Sequence, residues 1–332
     1  MTKKYHVAIV GATGAVGTEL LRVLERRNFP VADLRLLASP RSFGKRLKFR
    51  GEEVAVAALE EDSFSGIDLA FFSAGAGTAR AFAPSAQRAG AIVIDNSAAF
   101  RMDDGVPLVI PEINPEDTRN HHGIIANPNC TAAVALMALF PLHRAFGLRR
   151  VFAASYQAVS GTGARAIVEL QRQVEANVRG ETAPNEVYPH PIAFNVLPQV
   201  DSFLENGYTK EEMKLQNEGR KMMHLPEFRA SVTCVRVPVF RAHSVALSAE
   251  FAQPVSVVEA RAVLTNAPGI DLVDEPEEHR YPTPLAVAGK DNCQVGRLRK
   301  DCALENGLAL WVAGDQLLKG AALNAVQIAE LL

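Results

Sequence analysis

The sequence predicts an α/β protein of two domains, the first built on a parallel sheet covered by helices on both faces. Three observations carry that expectation. The chain has 332 residues, more than the roughly 250–300 at which a single hydrophobic core stops growing. Its first third alternates short apolar, β-rich runs with helical ones, the pattern of a parallel sheet buried on both sides. A glycine-rich loop, residues 11–17, follows the first of those runs immediately.

Taken in order, YHVAIV reads as the first strand, TELLRVLERRN as the helix after the glycine loop, and LRLLA and LAFFSA as further strands. GTARAFAPSAQRAG reads as a second helix and AIVIDNS as the strand after it. A helix over residues 131–146 opens a second region with a different pattern. There follow the strand-like LRRVFAASYQAVS, a helix near 164–178, a proline-rich connection over 184–198 and a helical run over 209–224. Two long alternating runs around 230–254 come next, for which antiparallel pairing is the natural arrangement. The strand GLALWVAGD leads into a last helix, 316–332, whose Gly320, Ala321 and Ala322 would let it pack back on the first domain. The domains are therefore expected at 1–130, completed by 316–332, and at 131–315.

Hydrophobic residues make up 48% and charged residues 22%, the balance of a soluble globular protein. With 35 Lys and Arg against 37 Asp and Glu the net charge is -2, so no overall attraction to nucleic acid or membrane is expected. The opening MTKKYHVAIVG lacks the apolar core of a secretory leader, and no apolar run reaches the roughly 18 residues of a membrane helix. The four cysteines, Cys130, Cys234, Cys293 and Cys302, include no C-x-x-C pair, which argues against a zinc ribbon or a redox dithiol. No metal site is expected, and a reduced, cytoplasmic setting is.

The loop Gly11-Ala12-Thr13-Gly14-Ala15-Val16-Gly17 precedes an amphipathic helix. Glycines let a backbone turn tightly against a pyrophosphate, whose charge then sits at the positive end of the helix. The spacing G-x-x-G-x-x-G departs from the dinucleotide fingerprint, and a tight turn without ligand is the alternative. An NAD enzyme would be expected to offer an acid near the end of the second strand for the ribose 2'-hydroxyl. Here the strand runs into Ser39-Pro40-Arg41-Ser42-Phe43-Gly44-Lys45, where Arg41 and Ser42 suit a 2'-phosphate. NADP is thus favoured, against the alternative of a merely solvated basic loop.

A cysteine is often a small buried hydrophobe, but Cys130 has an unusual position in IIANPNCTAAV. Pro128 disfavours helix at Asn127, Asn129 suits an N-cap, and Cys130 falls in the first helical turn. Unpaired N–H groups and the helix dipole there would stabilise a thiolate or an oxyanion on a carbonyl under attack. Cys234, Cys293 and Cys302 lack this setting and are read as structural. Met222, Met223, Phe140 and Phe146 are read as helix-face packing.

With these stretches in view, the chain resembles the aspartate-β-semialdehyde dehydrogenase family. The resemblance rests on GATGAVG, on S-x-R-S-x-G-K at 39–45, on N-S-x-x-x-R from Asn96 to Arg101 and on P-N-C-T from Pro128 to Thr131. It continues through SYQAVSGTG at 155–163, E-x-x-K from Glu218 to Lys221 and R-V-P-V-x-R-x-H from Arg236 to His243. The ordered set covers nearly the whole chain. It implies a Rossmann-type NADP-binding domain followed by an α+β catalytic and dimerisation domain of the glyceraldehyde-3-phosphate dehydrogenase-like type. It also implies NADPH-dependent reductive dephosphorylation of β-aspartyl phosphate to aspartate semialdehyde, on the way to lysine, threonine, methionine and isoleucine. A homodimer is the implied assembly, with a tetramer as the alternative.

Residue chemistry agrees with that activity. A thiolate can displace phosphate from an acyl phosphate, and the resulting thioester accepts hydride from a nicotinamide. The resemblance makes Cys130 the nucleophile, Gln157 the residue that orients the acyl intermediate and His243 the acid/base. Arg236 would grip the substrate carboxylate, Glu218 the amino group, and Arg101 and Lys221 the phosphate, with Arg220 an alternative to Lys221 and Asn129 in the same substrate set. Ser160 and Gly161, with Asn324 or Gln316 on the last helix, would meet the cofactor. Without the family, Arg101 would be an ordinary loop arginine, and Glu218 with Lys221 a surface ion pair of little worth. A break between strands is expected at Val237-Pro238-Val239. Competing readings are a reductase for another acyl phosphate such as N-acetyl-glutamyl phosphate, an aldehyde oxidation without phosphate, and a non-catalytic NADP-binding paralogue.

Overall fold

The structure, a computed structural model, describes residues 3–332; Met1 and Thr2 of the opening stretch lie outside them. The chain divides into two compact units, one running to Asn129 and resumed over Ala321–Leu332, the other spanning Cys130–Gly320.

The first unit contains β1 (Tyr5–Val10), α1 (Ala15–Arg26), β2 (Val31–Ala38), β3 (Arg46–Phe49), β4 (Glu52–Ala58), β5 (Leu69–Phe72), α2 (Ala76–Arg88), β6 (Ile92–Asp95) and β7 (Ile124–Ala126). Its seven strands form one sheet in the order β3-β4-β2-β1-β5-β6-β7. All neighbours are parallel except β3 with β4. The strands are apolar because both faces are covered: Val7, Ala8, Ile9 and Val10 are each 0% exposed. The chain leaves β1 toward β2 on one side and later returns to β5 on the other, which makes the end of β1 the switch point where such sheets bind ligands.

The second unit runs through α3 (Cys130–Phe146), β8 (Leu148–Gln157), α4 (Ala164–Val178), α5 (Lys210–Met222), β9 (Arg229–Arg236), β10 (His243–Phe251), α6 (Val257–Thr265), β11 (Ile270–Leu272), α7 (Pro284–Val287), β12 (Cys293–Lys300) and β13 (Gly307–Gly314). Its six-stranded sheet has the order β11-β12-β13-β10-β8-β9. Here the antiparallel pairing expected around 230–254 holds for the second run, which is antiparallel to both its neighbours, but not for the first. β9 and β10 do not pair with each other; β8 lies between them, parallel to β9 and antiparallel to β10. Alternation reports a half-buried strand and not its neighbour, so the sequence pattern could not supply that order. From Thr131 to Leu139 every residue of α3 is buried, as a helix laid across a sheet requires.

The last helix also differs from expectation. A turn after β13 leads to a π-helical stretch, Leu318–Ala322, and only then to α8 (Leu323–Ala329). Gln316 accordingly belongs to the unit Cys130–Gly320 and not to the resumed part of the first. Within the first unit the C-terminal segment is anchored by Arg27, whose Nε and Nη2 donate to the Glu330 carboxylate at 2.7 and 2.6 Å.

Candidate active site

In the first unit the backbone supplies the site. Gly11 has φ of +85°, and a Cβ there would lie 2.6 Å from the Ser73 carbonyl oxygen, so both conformation and space require glycine. α1 begins after Gly14 with no side-chain cap and no acid in its first turn. The first N–H groups, those of Ala15, Val16 and Gly17, therefore have no partner inside the helix. The Thr13 hydroxyl lies 3.2 Å from Ser42 Oγ, which ties the glycine loop to the turn Pro40–Ser42 after β2. Ser39 and Arg41 are exposed beside it, and among the described residues Arg41 makes no ion pair.

Arg101 is not an ordinary loop arginine. It is buried, with Nε donating to the Asn127 carbonyl and Nη2 to that of Asn96, both at 2.9 Å. Asn127, which sequence reasoning passed over as a helix breaker's neighbour, is the centre of this cluster. Its amide donates to Asn96 Oδ1 at 3.0 Å and accepts from Asn324 Nδ2 at 2.7 Å. Asn324 also donates to the Val109 carbonyl, while its own Oδ1 is buried without a partner. The N-S-x-x-x-R motif and the A-N-P-N turn thus meet through backbone carbonyls and amides.

In the second unit the sheet collects the side chains. β10, β8 and β9 are consecutive neighbours. Gln157 ends β8 opposite Arg236 at the end of β9, and His243 begins β10 one residue before the Ser244–Tyr156 pair. Gln157, Arg236 and His243 therefore stand side by side at one sheet end. The next residue joins them: the Ala158 N–H donates to His243 Nδ1 at 3.1 Å, and Arg236 Nη1 donates to the Ala158 carbonyl at 2.7 Å. His243 Nε2 and Arg236 Nε are buried without partners. Burial, and after it the Arg236 charge, push the His243 pKa down to about 3. The ring is neutral, and since Nδ1 accepts, its proton sits on Nε2.

Gly161 closes over this group; a Cβ on it would lie 3.1 Å from Arg236 Nη1 and from His243 Cε1 and Nε2. Ser160 and Gln316 brace it. Gln316 Nε2 donates to Ser160 Oγ, and its Oε1 accepts the Ala242 N–H at 2.7 Å. The expected break between strands runs through Ala242, which is held at φ of +75°, a conformation that costs a residue with a Cβ about 1–2 kcal/mol. Arg241 beside it is tied to the buried Asp315 at 2.6 Å.

Cys130 is the first residue of α3 and partly exposed, Asn129 preceding it. Gly320 packs so closely that a Cβ there would come within 2.8 Å of Cys130 Cβ. Cys234 is buried, and that burial pushes its thiol up to about 12; Cys293 is buried too, whereas Cys302 is exposed. Met222, Met223 and Phe146 are buried. Glu218 is only 2% exposed, which removes the reading of a surface ion pair with Lys221. Arg220 donates from Nε to the Phe228 carbonyl at 2.8 Å, closing the end of α5, and the ring of Phe228 explains Gly219: a Cβ would meet it at 2.9 Å.

One member of this unit escaped sequence reasoning. Glu211 is buried and accepts from Gln157 Nε2 at 3.0 Å. Its only signal was an acid in a helix's first turn, which has a sufficient local reason in the helix dipole.

Comparison with known proteins also divides the chain in two. Residues 6–121 match the family described as "Semialdehyde dehydrogenase, NAD binding domain", and residues 139–319 match "Semialdehyde dehydrogenase, dimerisation domain". The chain is 53% identical to the aspartate-semialdehyde dehydrogenase of Aquifex aeolicus (strain VF5), over 99% of this chain and 98% of that one. It is 47% identical to that of Bacillus subtilis (strain 168), over 100% and 98%. The crystal structure of aspartate semialdehyde dehydrogenase II from Vibrio cholerae superposes with a TM-score of 0.96 at 44% identity, covering 100% of this chain and 98% of that one. The chain belongs to the semialdehyde dehydrogenase family and, within it, to the aspartate-semialdehyde dehydrogenases.

Proposed function

We propose that this protein is an aspartate-semialdehyde dehydrogenase that carries out the NADPH-dependent reductive dephosphorylation of L-4-aspartyl phosphate, a step of amino-acid biosynthesis. The observation that carries this reading is the grouping of Gln157, Arg236 and His243 at three adjacent strand ends under Gly161, in the unit whose first residue is Cys130. The Vibrio cholerae relative was solved complexed with ASA, which supports the same substrate class here.

Cys130 attacks the acyl carbon as a thiolate, phosphate leaves with the electrons of the broken C–O bond, and a thioester forms on Cys130. The N–H groups at the start of α3 favour the negative charge that develops there. A nicotinamide held by the glycine loop of the first unit would supply the hydride that the thioester carbonyl accepts. His243 then donates a hydrogen bond from Nε2 to the oxygen that becomes an alkoxide, and collapse of that centre expels the Cys130 thiolate and leaves the aldehyde. Arg236 offers a planar cation to the substrate carboxylate, Glu218 a carboxylate to the amino group, and Arg101 with Lys221 two cations to the phosphate.

The first unit is read as the cofactor domain. The uncapped start of α1, the glycines 11, 14 and 17 and the Thr13–Ser42 contact fit a dinucleotide pyrophosphate. Ser39, Arg41 and Ser42, with no acid at the end of β2, favour NADP over NAD. Ser160 and Gly161 in the second unit, Asn324 in the first and Gln316 behind Ser160 complete the cofactor set. A homodimer is supported by the outer face of the six-stranded sheet, where Phe152 and Tyr156 are 47% and 37% exposed on β8, a strand that buries Val151, Ser155 and Gln157 on its other face, and such apolar patches mark interfaces.

Phosphate-dependent NADP reduction, measured with aspartate semialdehyde and with N-acetyl-glutamate semialdehyde, tests the proposal. Strong preference for the first is expected. Equal or reversed preference, or a rate independent of phosphate, overturns it.

A further inference from the structure

A buried acid stands at the end of β13. Asp315 is 0% exposed and follows Gly314, the residue that pairs with His243 at the start of β10. A carboxylate so deeply buried is costly to keep unless its oxygens are well partnered. Oδ2 accepts from Arg241 Nε and from the Gly289 N–H, both at 2.6 Å, and Oδ1 accepts from the Leu317 N–H at 2.9 Å. The backbone carbonyl of the same residue accepts from the Gly320 N–H at 3.2 Å, and Gly320 is the glycine pressed against Cys130.

What lies between Arg241 and His243 gives these bonds their meaning. Ala242 is held at φ of +75°, and a residue in such a conformation persists only where its surroundings over-determine it. Three contacts do so here. Asp315 holds the side chain before it, Gln316 Oε1 accepts its N–H at 2.7 Å, and Ala242 packs with Val287 of α7 and Ala313 of β13 in a small apolar cluster. The turn at Ala242 sets the direction in which the chain enters β10, and so where the His243 side chain begins. The far end of that side chain is fixed separately, its Nδ1 accepting the Ala158 N–H at 3.1 Å. A shift at Ala242 would therefore swing the ring about that bond and carry Nε2 away from its place.

On the reading given under Proposed function, we infer that Asp315 and Arg241 form a positioning pair for His243, locking the turn at Ala242 so that Nε2 is presented to the acyl group on Cys130. Asp315→Asn keeps the volume but cannot accept at both oxygens, so either Leu317 or the Arg241 and Gly289 donors lose their acceptor. The expected result is a fall in kcat of about 10²-fold, the scale of a small misplacement near the reacting atoms, with KM for aspartate semialdehyde changed by less than about 3-fold. In a His243→Asn background the same substitution is expected to change kcat by less than about 2-fold, because the residue it acts through is gone. Should Asp315→Asn fail to fold, Arg241→Gln, at a side chain 27% exposed, is put through the same cycle with the same expectation. Equal losses in both backgrounds, or a lower thermal midpoint with kcat retained, overturn the inference. A native chain without phosphate-dependent NADP reduction overturns instead the reading it rests on.

Discussion

The two units build their site features by different means. The seven-stranded unit uses backbone: N–H groups at the start of α1, the carbonyls of Asn96 and Asn127 that hold Arg101, and the turn Pro40–Ser42. The six-stranded unit uses side chains delivered by separate elements, Cys130 by α3, Gln157 by β8, Arg236 by β9, His243 by β10 and Glu211 by α5. The first kind of site is tolerant of side-chain change and strict about glycine. The second is strict about side chains and depends on strand order to bring them together.

That contrast can be broken or sharpened by substitution. The largest effect is expected for Cys130→Ala: loss of the acyl-transfer rate by about 10⁴-fold or more with no change in thermal midpoint beyond a few degrees. Retained activity would remove the mechanism. Gly161→Ala comes next, because its Cβ would press on Arg236 and His243 from 3.1 Å. A kcat/KM lower by about 10²-fold is expected from displacement at the reacting centre, and an unchanged kcat/KM would mean that Arg236 and His243 do not need their present places. Arg41→Ala should weaken NADP by about tenfold, the scale of one charge-assisted hydrogen bond, and leave NAD unaffected; equal effects on both would return Arg41 to a solvated loop.

Smaller effects concern stability. Because His243 is held at about 3 against an ordinary 6.5, the unfolded chain takes up a proton below pH 6.5 that the folded chain refuses until about pH 3. Stability therefore falls as pH is lowered through that window. His243→Asn should reduce the slope by up to one proton, about 1.4 kcal/mol per pH unit, in urea unfolding at pH 5 to 6; an unchanged slope would mean that the imidazole is already charged. Least of all, Ala242→Gly should relieve the φ of +75° and raise stability by about 1 kcal/mol, with some loss of kcat as the segment before His243 loosens.

The same contrast explains what could be read from the sequence. The glycine loop, Arg41 and Cys130 were legible because each depends on neighbours within a few positions: a strand before, a helix after, a proline and an asparagine. Arg236 and His243 were legible only through the family resemblance, since a strand's alternation does not say that β8 runs between β9 and β10. Arg101 looked like a loop residue because its partners are carbonyls, which leave no trace in residue identity. Glu211 was invisible for the opposite reason, having an ordinary explanation at hand. Gln316 was assigned to a regular final helix, where the chain instead takes a turn and a π-helical stretch, a feature often found beside functional sites.

The closeness of Gly320 to Cys130 has a meaning beyond crowding. These residues are the last and the first of the second unit, so that unit begins and ends at one point. In the first unit, likewise, the Asn127 amide reaches the Ala321 carbonyl at 3.4 Å, so the two cut ends of its chain also meet. The protein is thus one domain spliced into another through adjoining ends, an arrangement that lets a host accept an insert without being stretched. Cys130, the proposed nucleophile, stands at the splice. Any residue added at that junction would fall directly beside Cys130.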